Sequence, residues 1–240
     1  MSAGFEEICD RVAVNLKAVN QEISEACDAA ERDRSAVKLV AVTKYAEWDW
    51  VRALSREHAV FGENRPQQLA ERAVLDELSQ PAEWHLIGQL QRNKARSAVQ
   101  HASLIHSVDS LRLLQRLSSV AGDLNVEQRL LLQVNVTGEE SKSGFSPDGL
   151  RQGIDEILQV PSVHLDGLMT MAPAGATDEE TYACFSGLRD LRDEIRESSA
   201  AKEVGHSFSE LSMGMSGDFP TAIRAGATIV RIGRRLYDGL

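Results

Sequence analysis

Several familiar features are missing from this sequence. The opening Met-Ser-Ala-Gly-Phe-Glu-Glu has neither the basic flank nor the continuous apolar run of a signal peptide, and no stretch approaches a membrane span in length. Cysteine is scarce. Cys9, Cys27 and Cys184 lie far apart and outside any CxxC pattern, which suggests neither a disulfide scaffold nor a zinc cluster and fits a reducing cytosol. Basic charge is in the minority, with 26 Lys and Arg against 36 Asp and Glu, a net charge of -10. That balance argues against a nucleic-acid backbone as the main partner, while leaving room for a local cationic site for one small anion. There is no Pro/Gly/Ser-rich linker, no internal repeat and no low-complexity segment. These absences predict a cytoplasmic, soluble protein that binds neither nucleic acid nor membrane.

What is present is an alternation. From Ser2 to about Arg32, Ile8, Val12, Leu16, Val19, Ile23 and Cys27 recur at threes and fours, the stripe of one helix, so residues 1–35 are expected to supply an N-terminal helix packed on the body. Eight short apolar runs then follow: Val37 to Thr43, Ala59 to Phe61, Trp84 to Ile87, Ser103 to Val108, Arg129 to Val136, Val163 to Met169, Glu210 to Met213 and Thr228 to Ile232. Between them lie helix-like segments near 48 to 57, 66 to 78, 90 to 100, 109 to 120, 147 to 158, 178 to 198 and 218 to 225, with none after the last strand. Ser146-Pro147 and Thr177 with Glu180 read as helix starts. Strict alternation implies a parallel sheet, and eight strands in 240 residues imply closure into a single (β/α)8 barrel over residues 1–240. An open doubly wound sheet is the alternative.

The working residues of such a barrel lie at the carboxyl ends of its strands. The first run, Val-Lys-Leu-Val-Ala-Val-Thr, ends abruptly in Lys44. A lysine in a poorly hydrated pocket has its charged form disfavoured and so offers a free amine to an aldehyde, although the run alone also fits a snorkelling lysine at a strand end. The second run ends in Gly62-Glu63-Asn64-Arg65, and the third in Gly88-Gln89 with His85 just inside. The fifth ends in Asn135-Val136-Thr137 and the loop Glu140-Ser141-Lys142-Ser143-Gly144. After the seventh comes Ser212-Met213-Gly214-Met215-Ser216-Gly217-Asp218, and around the eighth Arg231-Ile232-Gly233-Arg234. Loops in these last two positions commonly hold phosphate in barrels, and backbone N–H groups with a serine hydroxyl suit a dianion. The glycines also fit plain tight turns; the two loops together favour phosphate.

A lysine after one strand and a phosphate cradle across the barrel mouth suit pyridoxal 5′-phosphate (PLP), and sugar phosphates can use the same pair without a lasting covalent bond. Arg231, two residues before Gly233, would point inward. Beside a pyridine nitrogen it donates a hydrogen bond and leaves that nitrogen without a proton. His85 reads first as a core histidine and Met213 as a gap-filler, with both kept as secondary candidates beside the ring.

Taken together, Ala41-Val42-Thr43-Lys44, Phe61-Gly62-Glu63-Asn64, Trp84-His85-Leu86-Ile87-Gly88, Leu90-Gln91-Arg92-Asn93-Lys94, Gln133-Val134-Asn135, Ser141-Lys142-Ser143-Gly144-Phe145, Gly167-Leu168-Met169, Leu211-Ser212-Met213-Gly214-Met215-Ser216 and Val230-Arg231-Ile232-Gly233 occur in the order of a known family. The chain resembles the pyridoxal phosphate homeostasis proteins, the YggS/PROSC group of PLP-binding proteins, over nearly its whole length. The resemblance implies a barrel like the alanine racemase N-terminal domain without that enzyme's second domain. It also implies Lys44 as the Schiff-base lysine, Arg231 as partner of the pyridine nitrogen, Ser216, Gly233 and Arg234 as phosphate contacts, and Asn64 beside the ring. Family members keep PLP levels in balance without an accepted turnover, so the expectation is a non-enzyme. Its partners would be PLP and either PLP-dependent apoenzymes or free amino acids, and it would be a monomer or weak oligomer with no metal. Three departures stand out: Arg234 where members often have threonine, Arg65-Pro66 after Asn64, and Tyr45-Ala46-Glu47 in place of a common lysine and proline. The rival functions are a PLP-dependent amino-acid racemase, for which none of Tyr45, Tyr182 and Tyr237 is obviously placed as the second acid–base group, and a sugar-phosphate isomerase.

Overall fold

A computed structural model describes residues 3–75, 77–139, 142–198 and 205–240. Glu140 and Ser141 of the fifth loop therefore lie outside the described residues. Eight parallel strands, β1 (Lys38–Val42), β2 (Val60–Glu63), β3 (Glu83–Leu86), β4 (Leu104–Val108), β5 (Gln128–Gln133), β6 (Val163–Met169), β7 (Glu210–Ser212) and β8 (Ile229–Ile232), close in sequence order into a barrel. β8 pairs with β1 at Lys38↔Ile229 and Val40↔Arg231, which excludes the open sheet.

The helices between them are α2 (Trp48–Leu54), α3 (Pro66–Ala73), α4 (Ala95–His101), α5 (Leu111–Asp123), α6 (Pro147–Leu158), α7 (Asp178–Glu197) and α8 (Phe219–Arg224). Their starts follow from local chemistry. The Ser146 hydroxyl accepts from the Gly149 amide at 3.0 Å with Pro147 at the first position, and Thr177 and Glu180 bond each other's backbone amides in a complete capping box. The segment expected as one helix near 90 to 100 starts instead as a 3-10 turn, Arg92–Lys94. A 3-10 turn, Arg234–Tyr237, also follows β8, where no helix is expected. In both places the chain takes the tighter i→i+3 bonds that short helical pieces favour, from the Lys94 amide to the Gln91 carbonyl at 2.9 Å and from the Leu236 amide to the Gly233 carbonyl at 2.8 Å.

Two apolar layers hold the fold. Alternate strand residues such as Leu39, Ala41, Phe61, Leu86, Ile105, Leu130, Leu132, Leu211, Val230 and Ile232 pack outward with the helices in the main core. The other alternates, Val40, Leu104, Leu131, Met169 and Ile229, form a small separate cluster inside the barrel. N-terminal to β1, α1 (Ala3–Ala29) buries the expected stripe, with Val12, Leu16, Val19, Ile23 and Cys27 all buried, each side chain worth about 1.5–3 kcal/mol relative to exposure. It reaches the end of the chain: the Asn15 amide donates to the Leu236 and Asp238 carbonyls, and Arg235 pairs with Glu22.

Candidate cofactor site

At the carboxyl ends of the strands lies an open cavity of about 1020 Å³. Its lining brings together Lys44, Asn64, Ser216, Arg231, Gly233 and Arg234, with Lys142, Met171, Met215 and Tyr237. His85 and Met213 are not part of the lining. Both are fully buried: His85 faces His106 inside the barrel, and Met213, one residue past the inward Ser212, turns outward into the helix-packed core. The methionines that do reach the cavity are Met171 and Met215, both partly exposed.

Lys44 sits in the turn after β1, where the Ala46 amide donates to the Thr43 carbonyl at 2.8 Å. That turn is held from behind by charge. Glu63, fully buried at the end of β2, accepts from the Thr43 hydroxyl and from Arg72 of α3 at 2.5 Å, and Arg72 also donates to the Thr43 carbonyl at 2.7 Å and the Ala46 carbonyl at 2.6 Å. Burial pushes the Glu63 carboxyl up, and the Thr43 and Arg72 contacts oppose it. With four bonds converging on Thr43 to Ala46, the lysine has a fixed base. Lys44 is half-buried and its amine lies 5.1 Å from the centre of the Tyr45 ring, so the pocket is more open than a sealed one. On the next strand over, the chain after β3 approaches the Asn64 backbone so closely that a Cβ at Gly88 would stand 2.3 Å from the Asn64 carbonyl oxygen.

Closure of the barrel puts β8 beside β1, so the glycine–arginine loop is Lys44's neighbour and not across the mouth from it. A Cβ on Gly233 would stand 3.3 Å from Val42. On its other side Gly214 takes φ +93°, where any side chain would meet Ala222 at 2.6 Å, and this turn brings Met215 to Gly217 to the cavity rim. The Met215 amide donates to the Asp218 carboxylate at 2.5 Å, while among the described residues the Ser216 and Gly217 amides have no intramolecular partner. Arg234 is exposed at the rim.

Arg231 reaches the cavity from below. It is buried, donates to Ser212 Oγ at 2.5 Å and to the Thr170 carbonyl at 3.0 Å, and forms no ion pair among the described residues. Burial pulls its pKa down to about 10, with distant Asp218 opposing. A guanidinium has more N–H donors than these two bonds use. Its head group therefore lies toward β6 and β7, away from Lys44, with donors to spare for a ligand.

Tyr237, which the sequence does not mark as a site residue, also lines the cavity. It stacks on Trp50 with ring centroids 5.7 Å apart, and its hydroxyl is buried without a partner among the described residues. Burial pushes its pKa up strongly. The signal was faint, a lone tyrosine four residues after the last strand's glycine. No group of three or more His, Cys, Asp or Glu among the described residues is arranged to hold a metal, and no helix among them is long and apolar enough to cross a membrane.

The barrel, its mouth and its added N-terminal helix define the class: residues 14–239 match the family model for the alanine racemase N-terminal domain. An alanine racemase of Clostridium difficile shares the fold, with a TM-score of 0.71 at 17% identity over 95% of this chain and 56% of that one. The finer relationship is closer. The chain is 37% identical over 231 residues to the pyridoxal phosphate homeostasis protein of Aquifex aeolicus, covering 95% of this chain and 96% of that protein. It is 38% identical to the one of Pseudomonas aeruginosa, covering 94% of each. PipY of Synechococcus elongatus, solved with PLP bound, is similar at a TM-score of 0.75 and 37% identity over 90% of this chain and 99% of that one. The chain belongs to the pyridoxal phosphate homeostasis protein family.

Proposed function

We propose that this protein binds PLP at the barrel mouth and acts in PLP homeostasis without catalytic turnover. Lys44 is the covalent anchor for the aldehyde, and Arg231 donates to the pyridine nitrogen. Ser216, Gly233 and Arg234 hold the phosphate, and Asn64 flanks the ring. One observation carries the reading: Lys44 and the Gly233–Arg234 turn stand side by side on adjacent strands, while the Arg231 head group lies toward β6 and β7. In PLP the aldehyde and the phosphate arm occupy neighbouring ring carbons and the nitrogen lies opposite the aldehyde, so the residues present fit these three groups in that order. When bound, PLP supplies an aldehyde that couples to amines and a ring that withdraws electrons. An arginine at the nitrogen keeps that nitrogen unprotonated, which makes the ring a weaker electron sink.

Bound PLP gives the protein a visible absorbance, and borohydride should fix the cofactor to Lys44. A Lys44→Ala protein that still yields a reducible adduct at a different lysine would overturn the assignment, and a wild type that stays colourless after incubation with PLP and removal of the excess would favour a sugar-phosphate site. The racemase reading gains one residue, since Tyr237 lines the cavity. Its hydroxyl is held protonated by burial, which unsuits it as a base. Lys44-dependent solvent deuterium exchange at the Cα of amino acids, fast enough for turnover, would reverse this conclusion.

A further inference from the structure

Behind Arg231 runs a line of buried polar groups that cofactor binding as proposed does not use. Ser212 Oγ, which accepts from Arg231, lies 2.8 Å from His106 Nδ1. His106 Nε2 lies 2.9 Å from His85 Nδ1, and His85 Nε2 lies 2.9 Å from the Glu83 carboxylate. Both imidazoles and the serine are 0% exposed. Glu83 begins β3, so the line descends through the barrel from the cavity toward the amino ends of the strands, where Lys38 and Arg129 stand 3.7 and 3.8 Å from the same carboxylate.

Hydrogen-bond logic fixes the direction of this line. Arginine only donates and an ionised carboxylate only accepts. If both imidazoles are neutral, one arrangement satisfies every link: His85 Nε2–H donates to Glu83, His106 Nε2–H to His85 Nδ1, and the Ser212 hydroxyl to His106 Nδ1. The serine lone pair then faces the guanidinium. Reversing the upper links makes both His85 nitrogens donors, and so demands a charged imidazole in the barrel interior. It also leaves the serine hydrogen without an acceptor among the described residues. Burial disfavours the charged form of both rings, and the neighbouring cations add to this, while Glu83 opposes it at His85.

We propose that Ser212, His106 and His85 are positioning residues: a one-way hydrogen-bond relay, oriented by Glu83 at the far end of the barrel, that holds Arg231 aimed into the cavity. What Arg231 is aimed at rests on the PLP reading; the relay itself does not. In a buried site an arginine held by two neutral acceptors, with no carboxylate beside it, needs both acceptors fixed, because a serine free to rotate would turn its hydrogen toward the cation.

The test uses the full chain. In protein free of PLP at neutral pH, nitrogen-15 NMR should find both His85 and His106 as neutral Nε2–H tautomers; an Nδ1–H tautomer at either, or a charged His85, overturns the relay. His106→Leu should speed hydrogen exchange at the Arg231 Nε–H by roughly tenfold or more, and an unchanged rate overturns the positioning role. With PLP added, His106→Leu should move the visible band or the pH midpoint of its change, and His106→Gln, whose amide accepts at one atom and donates at the other, should restore it. A band and midpoint indifferent to His106→Leu also overturn the role. If His106→Leu does not fold, Ser212→Ala carries the same readouts after losing a single hydroxyl. Should the wild type bind no PLP, the cofactor reading falls, and the tautomers and the Arg231 exchange rate still decide the relay.

Discussion

The two ends of this barrel treat charge in opposite ways. At the amino ends of the strands charge is paired: Lys38 and Arg129 flank Glu83, Arg129 meets Asp166 at 2.6 Å, and His164 stands 3.4 Å from the other Asp166 oxygen. At the mouth, Lys44, Arg231 and Arg234 take part in no ion pair among the described residues, in a chain whose net charge is -10. Paired charges at a barrel's floor serve the fold, while unpaired cations around a cavity can serve an anion brought from outside. The mouth is not free of pairing altogether. A buried pair, Glu63 with Arg72, stands behind the lining and braces the turn that carries Lys44.

That contrast can be broken by experiment, beginning with the brace. Arg72→Ala would leave Glu63 buried without its cation and strip two bonds from the Lys44 turn. The expected loss is about 3–5 kcal/mol in denaturant unfolding, with weaker PLP uptake; a loss below about 1 kcal/mol would mean the pair is incidental. Next is the floor. Asp166→Ala removes a nearly buried carboxylate from Arg129 and His164 and should cost about 1.5–3 kcal/mol while leaving PLP affinity unchanged. A fall in affinity there would blur the division between the two ends.

A smaller effect should follow pH. Buried His85 and His106 have folded pKa values below the ordinary 6.5, so the unfolded chain takes up protons first. Their neutral rings contribute stability that is complete above pH 6.5 and lost as the pH falls below it. Glu83, held at about 2 chiefly by its bond to His85, loses its contribution lower down, between the ordinary 4.5 and about 2. The urea midpoint should therefore drop between about pH 7 and pH 5, before Glu83 is involved; a flat profile there would contradict it. The smallest change in stability belongs to the rim. Arg234→Ala, at an exposed residue, should alter stability by about 0.5 kcal/mol or less while weakening inorganic phosphate binding roughly three- to tenfold, the reverse of the Asp166 result. An unchanged phosphate affinity would take Arg234 out of the cradle.

The same contrast explains what was legible in the sequence. Strands of a closed parallel barrel are buried on both faces, so they read as apolar runs, and the polar residues that end them stand out. Lys44, Asn64, Ser216 and Gly233 are visible for that reason. The relay is not visible in this way. His85, His106 and Ser212 lie within short, largely apolar runs on three different strands, and only closure of the ring brings them into line. The brace was hidden for a related reason: Glu63 looked like one more polar strand end, and its partner Arg72 lies on the helix that follows. The error about the cradle's position came from counting strands along the chain, where the first and eighth are farthest apart, although closure makes them adjacent.

Adjacency at that seam has one more consequence. The 3-10 turn after Gly233 is fastened on its outer side by Asn15 and Glu22 of α1. A sideways slip of that first helix would therefore pull on the backbone that carries Gly233 and Arg234. Whatever grips the outer surface of α1 has a mechanical handle on the rim of the cavity, applied from outside the ring.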